Sequence, residues 1–266
     1  MSSNDGSRRI QSADRVCDIF EQLRSDGDST VSELASSVDL SPGTTHTYLA
    51  TLESRGLIRK REGKYRLGLE LLPYGEHVRH QNALYKAATE EIHRLAHDSG
   101  ACAHLMTEYQ NQLLVLQEVY GEKAIGTTFH SQKLEQPQKS FHCTAAGKSI
   151  LAHLPDDRRQ EVVQEHGLKE FSSTTITDEP VLIEELETIE ERGFALNDQE
   201  HMQGIRAVGA PIQYDDERII GAISLSGSAS NWSGDRFRRD LPEEVMRVAN
   251  AIEVNLHSAG HSAARG

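Results

Sequence analysis

The stretch TVSELASSVDLSPGTTHTYLATLESRGLIRKREGKYRLG, residues 30–68, decides how this chain begins to fold. It opens on Thr30-Val31-Ser32-Glu33, a capping box in which the Thr hydroxyl and the Glu carboxylate each satisfy a free backbone N–H. Behind it Val31, Leu34, Ala35 and Val38 recur at helical spacing. Asp39-Leu40 makes a turn. Ser41 then caps a further helix, and Pro42 suits its first position, where no N–H is needed. Tyr48, Leu49 and Leu52 face inward along this helix to Arg55, and Gly56 ends it in left-handed backbone. From Leu57 to Leu67 two short alternating strands flank Glu62-Gly63, a two-residue hairpin turn.

Working back toward the N-terminus, Ala13, Val16, Ile19, Phe20 and Leu23 make one apolar face of a helix from Ser12 to Ser25, and Gly27 stops it. Three short helices, a tight turn and a hairpin form a winged helix-turn-helix, whose third helix enters the DNA major groove. Ser41, Gly43, Thr44, Thr45, His46 and Thr47 are the small or hydrogen-bonding residues on its leading half, with Thr44 and Thr45 expected to face the groove. The wing offers Arg59, Lys60, Arg61 and Lys64 to phosphates, a salt-dependent, sequence-independent contribution.

Charge supports that placement. The 266-residue chain carries a net charge of −13, which by itself argues against nucleic acid. Residues 40–68, however, hold six Lys or Arg against two Asp or Glu, a basic island on an acidic chain. Arg outnumbers Lys by 20 to 8, and acids are abundant, as in proteins of salt-loving organisms and in many ordinary acidic cytoplasmic proteins. No apolar run approaches the roughly 18–20 residues of a membrane helix, and the polar start lacks a signal peptide's apolar stretch. The expected compartment is cytoplasmic, with no membrane partner. Three scattered cysteines, Cys17, Cys102 and Cys143, make no disulfide framework.

Beyond residue 68 the pattern changes. Residues 69–81 read as a linker helix, interrupted near Pro73, of a kind that often pairs between subunits. A second domain follows over 82–260, with residues 261–266 as a flexible tail. Helices are expected from Ala83 to His97, Thr144 to Leu154, Asp156 to His166, Thr177 to Arg192 and Pro242 to Leu256. Strands are expected from Ala101 to Glu108, Gln112 to Val119, Ala124 to Phe129, Ala207 to Gln213 and Arg218 to Ser226. That order indicates an α+β domain on a largely antiparallel sheet.

Four stretches carry a resemblance. Tyr65-Arg66-Leu67-Gly68 after the wing, the run from His142 to Ala152 (HCTAAGKSILA), Gly193 to His201 with Gly204 to Val208, and Ala222 to Gly227 together resemble signatures of the IclR family of transcription regulators. The resemblance covers nearly the whole chain. It implies a GAF-like α/β effector-binding domain, dimers or tetramers on a palindromic operator in double-stranded DNA, and control by a small organic or aromatic acid. It also implies a pocket of Ala145, Ala146, Asn197, Ala207, Ser224 and Ser226. A helix N-terminus there offers N–H groups to an anion, and the serines are expected to donate hydrogen bonds to it. Relatives often carry an acid where this chain has Asn197, a cysteine at Ala207, an Arg at Thr47 and a Lys at Pro42.

Two other classes of function would make different demands on the sequence. An enzyme-like domain needs a nucleophile, base and oxyanion site within mutual reach. His142-Cys143 is a candidate nucleophile with its base, but neighbours in an extended segment point to opposite sides, which argues against their hydrogen bond. A metal or redox sensor would draw on Cys102, Cys143, His104, His130, His142 and His201, whose spacings match no compact zinc pattern. No catalytic residue, metal ligand or cofactor is expected.

Overall fold

The computed structural model describes residues 9–125, 140–214 and 218–263. The chain divides into two compact units, Met1–Val78 and Arg79–Gly266.

In the first unit, α1 (Gln11–Ser25), α2 (Val31–Ser37) and α3 (Pro42–Ser54) precede the strands β1 (Ile58–Arg61) and β2 (Lys64–Leu67). The capping box forms as the sequence predicts: the Glu33 amide donates to Thr30 Oγ1 and the Thr30 amide to the Glu33 carboxylate. Ser41 Oγ accepts from the Thr44 amide, and Pro42 sits in the first turn of α3. Ile19, Leu23, Leu34, Val38, Leu49, Leu52, Ile58 and Tyr65 form the core. Full burial of each aliphatic side chain contributes about 1.5–3 kcal/mol. The wing's β1 and β2 pair antiparallel, Arg61 opposite Lys64. Its turn puts both Glu62 (φ 52°) and Gly63 (φ 81°) in left-handed backbone, the geometry whose twist matches a two-residue hairpin.

Helix α4 (Leu71–Gln81) follows. The expected interruption at Pro73 is absent. Proline falls in the first turn, where amides have no intrahelical acceptor to lose.

In the second unit the sheet order is β4-β3-β7-β6-β5, with every pairing among the described residues antiparallel. Its strands are β3 (Cys102–Tyr109), β4 (Gln112–Tyr120), β5 (Ala195–Asp198), β6 (Ile205–Tyr214) and β7 (Arg218–Ser228). The short β5 was not expected as a strand. Of the strand expected at Ala124–Phe129, Ala124 and Ile125 are not in strand conformation, and the rest lies outside the described residues.

Alternation along the strands gives the sheet two different faces. Ala103, Leu105, Val208, Ala210, Ile212, Ile223 and Leu225 pack against α5 (Ala83–Ser99) and α9 (Leu241–Ala263). Helix α9 runs on into the stretch expected as a tail, since no proline follows Leu256. The opposite face is covered by α6 (Ala145–Ala152), every residue of which is buried, with α8 (Glu179–Arg192) against it. Helix α7 (Asp156–His166) adds Val162 to that core. The approach of α6 to the sheet depends on Gly209: a β-carbon there would lie 2.7 Å from the Ala145 carbonyl carbon and 3.0 Å from the Ala146 nitrogen.

Candidate functional site

The first unit presents a polar helix face beside a cationic hairpin. On α3, Ser41, Gly43, Thr44, His46 and Thr47 are exposed. Thr44 Oγ1 lies 2.9 Å from Ser41 Oγ, and Thr47 Oγ1 donates to the Gly43 carbonyl at 3.2 Å. Thr45 requires a correction. It has no exposed surface and its hydroxyl donates to the Ser41 carbonyl at 3.0 Å, so it belongs to the core and cannot face a groove. The reason is periodicity: Thr45, Leu49 and Leu52 stand at i, i+4 and i+7 on one helix face. Arg59, Lys60, Arg61 and Lys64 are all exposed. Lys60 Nζ lies 5.2 Å from the centre of the Tyr65 ring, and Arg61 Nε lies 3.5 Å from Glu62. Arg66, by contrast, is paired with Asp28 and is less available to a phosphate.

The second unit holds a cavity of about 50 Å³ between the α6 face of the sheet and the start of α6. Ala145, Ala146, Asn197, Ala207, Ser224 and Ser226 all line it. Register explains how residues so distant in sequence meet. Cys102 lies opposite Ser226, Ser226 opposite Ala207, and Ala207 opposite Asn197, which makes one row across the sheet. In the next row Glu118 lies opposite His104, His104 opposite Ser224, and Ser224 opposite Gly209.

At the mouth of α6, Thr144 Oγ1 accepts from the Gly147 amide at 3.1 Å, and the Lys148 amide makes the first helical bond. This leaves the Ala145 and Ala146 amides at the helix end, where the backbone dipoles favour an anion. Asn197 lines the cavity but also braces it. Its amide nitrogen donates to the Cys143 carbonyl at 2.8 Å, and its oxygen accepts from the Glu200 amide at 2.9 Å.

Lys148 turns away from the cavity. It is buried, with Nζ 2.8 Å from Glu200 and 3.4 Å from Glu185. Burial pushes the Glu200 carboxyl above its ordinary range, against the pull of Lys148. Among the described residues, Glu200 Oε2 is buried without a partner. The turn carrying Glu200 is fastened by Thr175, whose hydroxyl donates to the Glu200 carbonyl at 2.6 Å. The Phe171 ring lies 5.0 Å from that of His201, a cavity residue, and tilted against it.

Sequence reasoning missed a polar group in the cavity wall. His104 Nδ1 lies 2.8 Å from Glu118 Oε1, and His104 Nε2 lies 2.8 Å from Ser226 Oγ. All three line the cavity. The one available signal was a lone acid, Glu118, in the apolar run from Leu113 to Val119.

The alternative readings find their residues dispersed. Cys102 on β3 and Cys143 in the turn before α6 are buried and form no disulfide. No group of three His, Cys, Asp or Glu among the described residues is placed to hold a metal, and His130 lies outside them. His142 Nε2 is engaged with the Lys169 carbonyl at 3.0 Å, while Cys143 Sγ approaches the Ser140 carbonyl at 3.8 Å. Burial lowers the His142 pKa. No described helix is long and apolar enough to cross a membrane.

Comparison with known proteins places both units. Residues 76–254 match the family described as bacterial transcriptional regulator IclR C-terminal, and residues 12–62 match the IclR helix-turn-helix domain. The chain is 37% identical to a probable HTH-type transcriptional regulator ArcR of Halobacterium salinarum, over 97% of this chain and 98% of that protein. A relative from that genus agrees with the arginine-rich, acidic composition. The chain is 26% identical to the HTH-type transcriptional repressor AllR of Escherichia coli, over 93% and 92% of the two chains. Among solved structures, the IclR of Thermotoga maritima superposes with a TM-score of 0.73 at 27% identity, covering 93% of this chain and 99% of that one. An IclR homolog from Microbacterium hydrocarbonoxydans, complexed with 4-hydroxybenzoate, superposes with a TM-score of 0.79 at 21% identity, covering 94% and 100%.

Proposed function

Because this chain belongs to the IclR family of transcription regulators, we propose that it binds a palindromic operator as a dimer and that a small carboxylate-bearing metabolite in the second unit sets its affinity for that DNA. The single observation that carries the effector half is one cavity lined by the first turn of α6 and by Ser224 and Ser226 of β7. The Ala145 and Ala146 amides take the carboxylate, and Ser224 donates a further hydrogen bond, worth about 1.5–3 kcal/mol to a charged acceptor. Among the described residues, no arginine or lysine lines the cavity. Affinity is therefore modest, on the order of micromolar, as suits a metabolite sensor. The complex of the Microbacterium homolog with 4-hydroxybenzoate supports a small organic acid as the class of effector.

On the DNA side, Thr44, His46 and Thr47 read base edges, Ser41 and Gly43 bring the helix start to the backbone, and Arg59, Lys60, Arg61 and Lys64 hold phosphates. Dimerisation is supported by Leu72, Tyr74 and Val78 on α4, and by Leu69 just before it, all large apolar side chains more than 60% exposed. The test is selection from a random duplex library, followed by titration of the selected DNA with and without a panel of small acids. A palindrome with half-sites about one helical turn apart, and an affinity that one acid shifts, is the expected result. An asymmetric site with no acid response overturns the reading.

A further inference from the structure

Thr45, Leu49 and Leu52 define the buried side of α3. The line of residues farthest from that side runs Gly43, Thr47, Ala50 and Ser54, at i, i+4, i+7 and i+11, with Thr51 beside it. Each of these residues is exposed. Their hydroxyl hydrogens, however, are already in use. Thr47 donates to the Gly43 carbonyl at 3.2 Å, Thr51 to the Thr47 carbonyl at 3.0 Å and Ser54 to the Thr51 carbonyl at 2.7 Å. A hydroxyl carries a single hydrogen. Outward, the two threonines are left with methyl groups and oxygen lone pairs, and Ala50 adds another methyl.

From Pro42 to Ser54 the helix contains no Arg, Lys, Asn or Gln, the side chains that make bidentate pairs with guanine and adenine. His46, also exposed, stands to one side of the line. Gly43 is informative for a different reason. Its backbone is not left-handed, and a β-carbon there would have nothing within 4 Å. Neither backbone nor packing asks for glycine, which weakens a helix relative to alanine. A helix seated deep in a groove does ask for it, because DNA then comes against bare backbone.

We propose that α3 reads its operator chiefly through thymine methyl groups, with Thr47, Ala50 and Thr51 making the apolar contacts. The proposal rests on the reading of α3 as the groove helix. Thymine is the one standard base with a methyl group on its major-groove edge. The adenine paired with it presents an N6 amino hydrogen that a threonine lone pair accepts. Guanine presents two acceptors there, for which these hydroxyls have no hydrogen left.

Replacing thymine by deoxyuridine removes that methyl and nothing else. The probe is a duplex recovered by selection from a random library, with each thymine replaced singly. At one or more positions the affinity of the full chain should fall about three- to fivefold, the worth of one buried methyl. Thr47→Ser keeps the hydroxyl and deletes the methyl. It should cost a similar factor on the thymine duplex and erase the difference between thymine and uracil at one of those positions. Thr47→Val keeps methyl groups and deletes the hydroxyl, and should preserve both the affinity and the difference. If Thr47→Ser melts abnormally, Thr51→Ser serves in its place, with the same loss expected. Equal binding of every uracil-containing duplex overturns the proposal. So does a uracil effect that survives Thr47→Ser, Ala50→Gly and Thr51→Ser, or a Thr47→Val chain that binds weakly while Thr47→Ser binds as before. In those cases loss of specific binding in Thr44→Glu still upholds α3 as the groove helix. Undiminished binding by Thr44→Glu, or no duplex recovered at all, overturns that reading and this proposal with it.

Discussion

The two units solve the problem of presenting functional groups in opposite ways. In the first, the candidate DNA-contacting residues run within Ser41–Thr47 and Arg59–Lys64, they are exposed apart from Thr45, and their positions follow from a cap, a turn and a hairpin. In the second, the cavity draws on β3, β4, the start of α6, β5, β6 and β7, and it is the register of the sheet that brings Glu118, His104, Ser226 and Asn197 together. A surface built from one contiguous segment can change its charges without disturbing the core. A cavity built from several strands cannot, because its wall is also the core. Substitutions in the first unit should therefore separate binding from stability, and those in the second should entangle them.

The sharpest way to break this contrast lies at neighbouring residues of α3. Thr45→Glu puts a carboxylate where there is no exposed surface, at a cost of several kcal/mol, comparable to the whole stability of a small domain. The expected outcome is loss of the first unit's unfolding transition, with DNA binding lost as a consequence. Thr44→Glu, one residue earlier and exposed, should leave that transition in place and abolish specific binding by repelling phosphates. Melting curves and gel shifts on both variants decide it. A folded Thr45→Glu protein, or a Thr44→Glu protein with undiminished affinity, removes the distinction.

In the second unit the corresponding substitution is Lys148→Met. It leaves Glu200 buried without its cation, at a cost of about 3–5 kcal/mol near neutral pH. The pH dependence has a definite sign. Burial already raises the Glu200 pKa above its ordinary 4.5, so between 4.5 and the raised value the folded chain binds more protons than the unfolded one. Stability falls as pH rises through that window and is regained as pH falls toward 4.5. Loss of Lys148 extends the window upward. Urea unfolding across pH should show the variant recovering part of its loss on acidification; a deficit independent of pH would assign Lys148 a packing role only.

What was legible in the sequence follows the same division. The capping box at Thr30 and Glu33, the Ser41-Pro42 start of α3 and the Glu62-Gly63 turn are local chemistry, and each forms as expected. Thr45 was misplaced because its residue type suggested a surface while its spacing with Leu49 and Leu52 already marked it as core. The six residues assigned to the pocket by resemblance do line one cavity, yet residue type alone did not disclose that Asn197 braces Cys143 and Glu200, or that Ser226 is hydrogen-bonded to His104. Glu118 was out of reach for a physical reason. Its pairing with His104 depends on the β3–β4 register, which shifts between Leu105 and Met106, and no local signal marks such a shift. The four-residue β5 is too short to declare itself by alternation.

A smaller effect tests whether the wing acts by charge alone. Replacing Arg59 and Arg61 with Ala should weaken binding to all sequences alike and reduce the slope of log affinity against log salt by up to about two. Both side chains are exposed, so the melting curve should not move. Affinity measured on specific and random duplexes over a range of salt decides the matter. A shift in sequence preference at constant slope would mean that the wing reads bases.

The smallest effect concerns the tip of the wing, where stability and binding should improve together. Glu62 occupies the first central position of the hairpin turn at φ 52°, a left-handed conformation that costs most L-residues about 1–2 kcal/mol and that asparagine adopts more readily. It also holds a carboxylate 3.5 Å from Arg61, at the end of the unit that would lie nearest phosphate. Glu62→Asn should therefore stabilise the first unit by about 0.5–1 kcal/mol. It should also raise affinity for all duplexes at low salt, since one repulsive charge is gone and Arg61 is released. The two gains have separate origins and separate readouts: the backbone effect persists at high salt, and the charge effect fades as the screening length shrinks. Asparagine that improves melting but not binding would place the tip of the wing away from the DNA. No gain in melting would mean that the turn geometry is not what limits the hairpin.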